Sequence, residues 1–149
     1  NININNNREY FISAAINELV MLRRFAAKIE YEINLNETPG LDGKKEIYKT
    51  IFENALKVKH SGENYLVDVD PYFYCARYIR AWMFQANIHK HLAEMYGADW
   101  FESLDSGEFL KSLWKLGQKY NAEELLKINN CGELSIKPLY NNIVNVLNN

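Results

Sequence analysis

The stretch from Asp70 to Gly97, DPYFYCARYIRAWMFQANIHKHLAEMYG, constrains the fold of this chain more than any other. It reads as one long helix with both ends marked. Asp70 is placed to cap the start, Pro71 suits a first helical position that needs no backbone N–H, and Gly97 can close the end with a positive φ. Stepping by four and three, Tyr74, Tyr78, Ala81, Gln85, Ile88, Leu92 and Met95 fall on one side, and Cys75, Ile79, Trp82, Ala86, His89, Ala93 and Tyr96 on the neighbouring side. Together they form an apolar arc of about half the circumference, wider than the ~100° stripe of an ordinary surface helix. Such a rod has to sit between other helices. The expected fold class is therefore all-α, a bundle of two long helices with several shorter helices packed around them.

The second long helix is expected from about Arg8 to Ile33, where Ile12, Ile16, Leu19, Leu22, Ala26, Ile29 and Ile33 recur at helical spacing. Glu9, Arg23, Arg24, Lys28 and Glu32 lie mostly off that stripe, and the Arg23-Arg24 pair reads as a solvated face. Thr38-Pro39-Gly40 ends this element. A helix over Lys44 to Lys57 should turn Ile47, Tyr48, Ile51, Phe52, Ala55 and Leu56 inward. His60 to Val69 reads as a loop, part of which lies against the body through Tyr65, Leu66, Val67 and Val69. Beyond the central helix, Trp100 and Phe101 are expected to act as plugs. Asp105 with Glu108 reads as a cap for a helix from Ser106 to Lys119 that buries Phe109, Leu110, Leu113, Trp114 and Leu116. Asn121 with Glu124 should cap a short helix ending near Asn129, and Ser135 a final one over Lys137 to Leu147. Residues 1–7 are expected to be disordered or extended, and 8–149 to form a single all-helical domain.

Charge and composition exclude several classes of function. Lys and Arg number 17 against 19 Asp and Glu, a net charge of -2, which argues against a nucleic-acid partner because phosphate binding needs a concentrated basic surface. No run approaches the ~18 apolar residues of a membrane span, so no membrane partner is expected. The opening NININNN has neither the basic start nor the apolar core of a signal peptide. Two cysteines, Cys75 and Cys131, are too few for a disulfide scaffold, and Cys75 lies on the buried arc; a reduced, cytoplasmic protein is expected.

A helical zinc-peptidase site needs two histidines at i and i+4 with a glutamate between them. His89 and His91 are two apart and diverge on a helix, His60 sits in a loop, and no His-Glu-x-x-His occurs. No metal ligand and no catalytic residue is expected within this chain. Cys75 has no marked base, and there is no Gly-rich phosphate loop. The tyrosines hold more promise. Tyr72, Tyr74 and Tyr78 fall in the first two turns of the central helix, with Tyr74 and Tyr78 at i and i+4 on one face. A phenol there can donate to a peptide carbonyl or a developing oxyanion, and Arg77 and Arg80 nearby could hold a carboxylate. The competing reading is that these tyrosines are core residues with satisfied hydroxyls.

The run Phe73-Tyr74-Cys75-Ala76-Arg77-Tyr78 is similar to the Phe-Tyr-x-Tyr-(Lys/Gln)-Tyr-Ala segment of oligoendopeptidase F and thimet-oligopeptidase-like zinc peptidases. The course from Glu18 to Leu126 resembles the C-terminal helical region of related bacterial proteins, through LRRFAAK at Leu22 to Lys28, DVDPYFYCARYIRAW at Asp68 to Trp82, and WFESLDSGEFLKSLWKLGQKYNAEELL at Trp100 to Leu126. The resemblance implies the C-terminal part of a larger metallopeptidase-like protein that hydrolyses peptides. In it, zinc and the His-Glu-x-x-His motif would belong to a catalytic region N-terminal to this chain, missing here. This portion would wall the substrate cleft without being catalytic alone, with Tyr74, Tyr78, Arg77 and Tyr72 as candidate contacts to the peptide. Arg77 stands where the related enzymes often have Lys or Gln. The alternative is a non-catalytic helical domain used for interaction or scaffolding.

Overall fold

A computed structural model describes residues 7–148; the expectation for the segment 1–7 lies outside the described residues up to Asn6, and Asn7 opens the first helix. The chain is all-α. Its helices are α1 (Asn7–Glu37), α2 (Lys44–Leu56), α3 (Cys75–Tyr96), α4 (Leu104–Lys115), α5 (Ala122–Ile128) and α6 (Lys137–Asn148), with 3-10 turns at Pro71–Phe73 and Trp100–Glu102. There is no strand among the described residues. Two compact units result. One takes the described residues up to Ile79 together with 145–148; the other is Arg80–Val144.

In the first unit, α1 runs without a Pro or Gly until Thr38-Pro39, where proline disfavours helical backbone at the preceding residue. α2 packs along α1. Its ends are set by backbone: Gly43 takes φ 73 ahead of the first turn, and the Lys57 N–H closes on the Glu53 carbonyl at 2.9 Å. The core between them is Ala27, Tyr31, Tyr48 and Phe52, with Leu35, Ile51, Tyr65 and Val69 packed around it. Tyr31 meets Tyr48 edge-on at 4.8 Å, Tyr48 meets Phe52 at 4.4 Å, and the His60 ring lies against both Tyr48 and Phe52. Burying rings of this size contributes ~1.5–3 kcal/mol each. In the 60–69 loop Tyr65 and Val69 reach the core, whereas Leu66 and Val67 are exposed.

The expected inward face of α1 needs correction. Ile16, Ala26 and Ile33 are exposed, and the buried line is Ala15, Ala27, Lys28, Tyr31 and Glu32. The reason is electrostatic. Arg24, Lys28 and Glu32 all have partners on the loop 68–70, and satisfying them turns the helix away from its most apolar face. Arg23 and Arg24 are likewise not a solvated face: Arg23 donates to the Ala55 carbonyl and Arg24 pairs with Asp68.

The central helix also starts later than its sequence suggests. Asp70 makes no side-chain cap, Pro71–Phe73 form a 3-10 turn, and Tyr72 and Phe73 take φ of 58° and 53° before α3 begins at Cys75. Left-handed backbone at two consecutive non-glycine residues breaks the helix there. Along α3 the stripe from Cys75 is buried or half-buried, while Ala81, Gln85 and Met95 of the other stripe are exposed, so the apolar arc is narrower than expected.

In the second unit Ile88, Leu92, Leu113 and Leu126 form the core, with Phe84, Trp100, Phe109 and Leu134 against it. Asn87 is buried and satisfied by donating to the carbonyls of Met83 (2.7 Å) and Ser135 (2.8 Å). α4 is capped by Ser103, not Asp105, and ends before Gly117, which takes φ 57. Trp114 and Phe101 are exposed, not buried. The Asn121–Glu124 capping box of α5 forms as its spacing predicts, and the Lys137 N–H is held by Ser135 Oγ at 3.2 Å.

Candidate functional site

The chemistry-bearing side chains of the first unit gather where the loop 68–73 crosses α1. Asp68, in a bend with its N–H closing on the Asn64 carbonyl, and Asp70, extended with φ -101 and ψ 141, both place their carboxylates on the α1 side. Opposite them α1 presents Arg24, Lys28 and Glu32 at four-residue spacing, one above the other. The Arg24 guanidinium donates to Asp68 Oδ2 at 2.6 Å. Lys28 Nζ bridges Asp68 (3.2 Å) and Asp70 (3.1 Å), and the Tyr48 hydroxyl donates to Asp68 Oδ2 at 2.8 Å. The LRRFAAK and DVDP segments thus meet each other through their charged residues.

Burial and charge act in opposition here. Burial alone would push the Asp68 carboxyl up; the Tyr48 hydroxyl and the Arg24 and Lys28 charges outweigh it and hold the group below the usual carboxylate range. Burial would lower the Lys28 amine, and Asp70 and Asp68 raise it instead. The Tyr48 phenol is pushed up by burial and by its bond to Asp68.

One turn along α1, Glu32 is 1% exposed. Its Oε1 accepts from the Asp70 N–H at 2.7 Å, and its Oε2 has no hydrogen-bond partner. Burial raises this carboxyl against the pull of the Asp70 amide and Lys28. Cys75, at the start of α3, is fully buried, and burial with the nearby Glu32 and Asp70 charges pushes its thiol up to about 11. One carboxylate oxygen each of Glu32 and Asp70 and the Cys75 sulfur lie within 4.8 Å of one another. Glu32 and Asp70 also border an open cavity of about 470 Å³, walled by Leu35, Asn36, Tyr72 and Phe73.

The tyrosines singled out by sequence divide into two places. Tyr74 and Tyr78 meet edge-on at 5.4 Å, Tyr78 stacks on Phe25 of α1 at 5.4 Å, and the Arg77 guanidinium lies 5.2 Å over the Tyr74 ring. This row is half-exposed, at 43% for Tyr74 and 46% for Tyr78, so the two residues are not sealed in the core. Tyr72 stands apart at the cavity, 93% exposed, because its left-handed backbone takes it off the helix. Arg80 lies in the second unit and pairs with Glu123 at 2.6 Å. The sequence reading missed Lys28, Glu32, Asp68 and Asp70 as a cluster. Their signal was present as a charged residue at every fourth position in the middle of an apolar helix, together with an Asp-x-Asp pair.

Among the described residues, no helix is long and apolar enough to cross a membrane, and both cysteines are free thiols. Comparison with protein families, with curated proteins and with solved structures finds no match for this chain.

Proposed function

We propose that this chain is the C-terminal helical portion of a zinc metallopeptidase and forms part of the wall against which the peptide substrate lies. The half-exposed row Phe25–Tyr78–Tyr74–Arg77 is the observation that supports this reading. Stacked rings give a flat apolar rest for a peptide side chain, the phenols can donate to its backbone carbonyls, and Arg77 can take a carboxylate. The ion pairs of Arg24 and Lys28 with Asp68 and Asp70 fix the loop that delivers these tyrosines, which gives the resembling segments a shared structural purpose. Zinc and its His-Glu-x-x-His ligands would come from polypeptide outside this chain, and hydrolysis would need both parts.

The test is hydrolysis of quenched fluorescent peptides by the protein encoded by the whole reading frame. Chelator-sensitive cleavage is expected, with kcat/KM lowered about tenfold in Tyr74→Phe or Tyr78→Phe, the loss of roughly one hydrogen bond of ~1.4 kcal/mol, and with the folded spectrum kept. Absence of cleavage by the parent, or unchanged kinetics in both variants, overturns the reading.

A further inference from the structure

We infer that Glu32, Asp70 and Cys75 form a binding site for a divalent transition-metal ion of the zinc type, reached through the cavity beneath Tyr72 and Phe73. The inference is independent of the peptide-wall reading and departs from the expectation that this chain holds no metal ligand; that expectation looked to histidines. Three observations carry it. The ligand atoms of these three residues lie within 4.8 Å of one another. Donor atoms around a tetrahedral zinc stand about 3.5 Å apart, so closing on an ion requires shifts of about an ångström. Second, Glu32 is 1% exposed, and its Oε2 lacks any hydrogen-bond partner although the rest of the cluster is bonded. Buried polar groups left so are uncommon and mark a place where a ligand belongs. Third, Glu32 and Asp70 border the open cavity, which supplies an entry path and room for a water in a fourth position.

The chemistry of the set selects the ion. One thiolate and two carboxylates suit zinc or cobalt(II), while calcium and magnesium take oxygen alone. The ion replaces the Cys75 thiol proton, which leaves to solvent. Three anionic ligands then exceed the charge of the ion by one, and Lys28, 3.1 Å from Asp70, supplies the balancing cation while keeping its bond to Asp68. The paired left-handed residues Tyr72 and Phe73, one residue beyond Asp70, aim the chain so that Cys75 returns toward α1.

Chelator-treated full chain titrated with Co²⁺ alone tests this. One equivalent should bind, with a thiolate-to-cobalt charge-transfer band in the near ultraviolet that Zn²⁺ abolishes by displacement. The band should persist in Cys131→Ser and vanish in Cys75→Ser, and Glu32→Gln should weaken Zn²⁺ binding at least tenfold. A wild-type chain without the band overturns the inference, whatever the folding of the variants. So does a band that survives Cys75→Ser, or Zn²⁺ affinity unchanged in Glu32→Gln.

Discussion

Replacing Asp68 by asparagine removes one negative charge from three donors while keeping a side chain of the same shape. Arg24, Lys28 and Tyr48 all donate to this carboxylate, at 2.6, 3.2 and 2.8 Å. A hydrogen bond to a charged group contributes ~1.5–3 kcal/mol when it is well buried. Arg24 is a third exposed (33%), so water recovers much of its share, and ~1 kcal/mol is a fair value for its loss. Lys28 is only 10% exposed but keeps Asp70, which limits its loss to ~1 kcal/mol as well. Tyr48 can still donate to the asparagine carbonyl, and its contribution changes little. Asp68→Asn should therefore destabilise the chain by about 2 kcal/mol, and Asp68→Ala by about 3–4, since alanine also strands the Tyr48 hydroxyl. Urea unfolding followed by far-ultraviolet circular dichroism measures this, with hydrogen exchange in α1 and α2 as the local readout. All three tryptophans, Trp82, Trp100 and Trp114, lie in the second unit and make fluorescence a poor probe of the first. A midpoint for Asp68→Asn within ~0.5 kcal/mol of wild type, at unchanged slope, would refute the view that this carboxylate holds the loop to α1.

Acid titration should show two opposite signs. The folded Asp68 carboxyl is held below its unfolded value, so its stabilisation is present above ~3.9 and lost as pH falls through the folded value; Asp68→Asn should remove that limb. Glu32 is raised, so its contribution is full below ~4.3 and is lost as pH rises through the folded value; urea midpoints of Glu32→Gln should gain on wild type as pH rises from ~4.3 through that folded value, and a constant difference would contradict this. Tyr72→Gly should stabilise by ~0.5–1 kcal/mol, because the residue packs little at 93% exposure and its φ of 58° suits glycine; a lower melting temperature would show that the side chain has an unseen anchor. Leu92→Ala, at a fully buried position in the second unit, should cost ~2–5 kcal/mol by denaturant unfolding, and a cost under 1 would mean the Ile88–Leu113–Leu126 cluster closes around the gap.

Helices were legible in the sequence where apolar spacing or capping chemistry marked them: spacing for Lys44–Leu56, which has no side-chain cap, and the capping box for Asn121–Glu124. Reading failed where polar residues won the interior. Apolar spacing on α1 favoured Ala26 and Ile33, yet Lys28 and Glu32 are buried because their partners arrive from Asp68 and Asp70, forty residues on, a pairing that no local pattern contains. The start of α3 was misread for a related reason. Asp-Pro is a good opening for a helix, but Asp70 is engaged by Lys28 and its amide by Glu32, so the chain completes a turn before α3 begins at Cys75. Of the candidate site, the adjacency of Tyr74 and Tyr78 followed from spacing, whereas the stacking of Tyr78 on Phe25 and the departure of Tyr72 required the fold.

The first unit is discontinuous: residues 145–148, the end of α6, belong with α1 and α2 and not with the sixty-odd residues that precede them. On the ribosome, therefore, Arg80–Val144 has every one of its own residues in hand before the first unit has received its last turn of helix. Synthesis order alone makes the earlier-translated half the later one to be finished, and a stop codon near the 3′ end of this coding segment would injure residues encoded at its 5′ end.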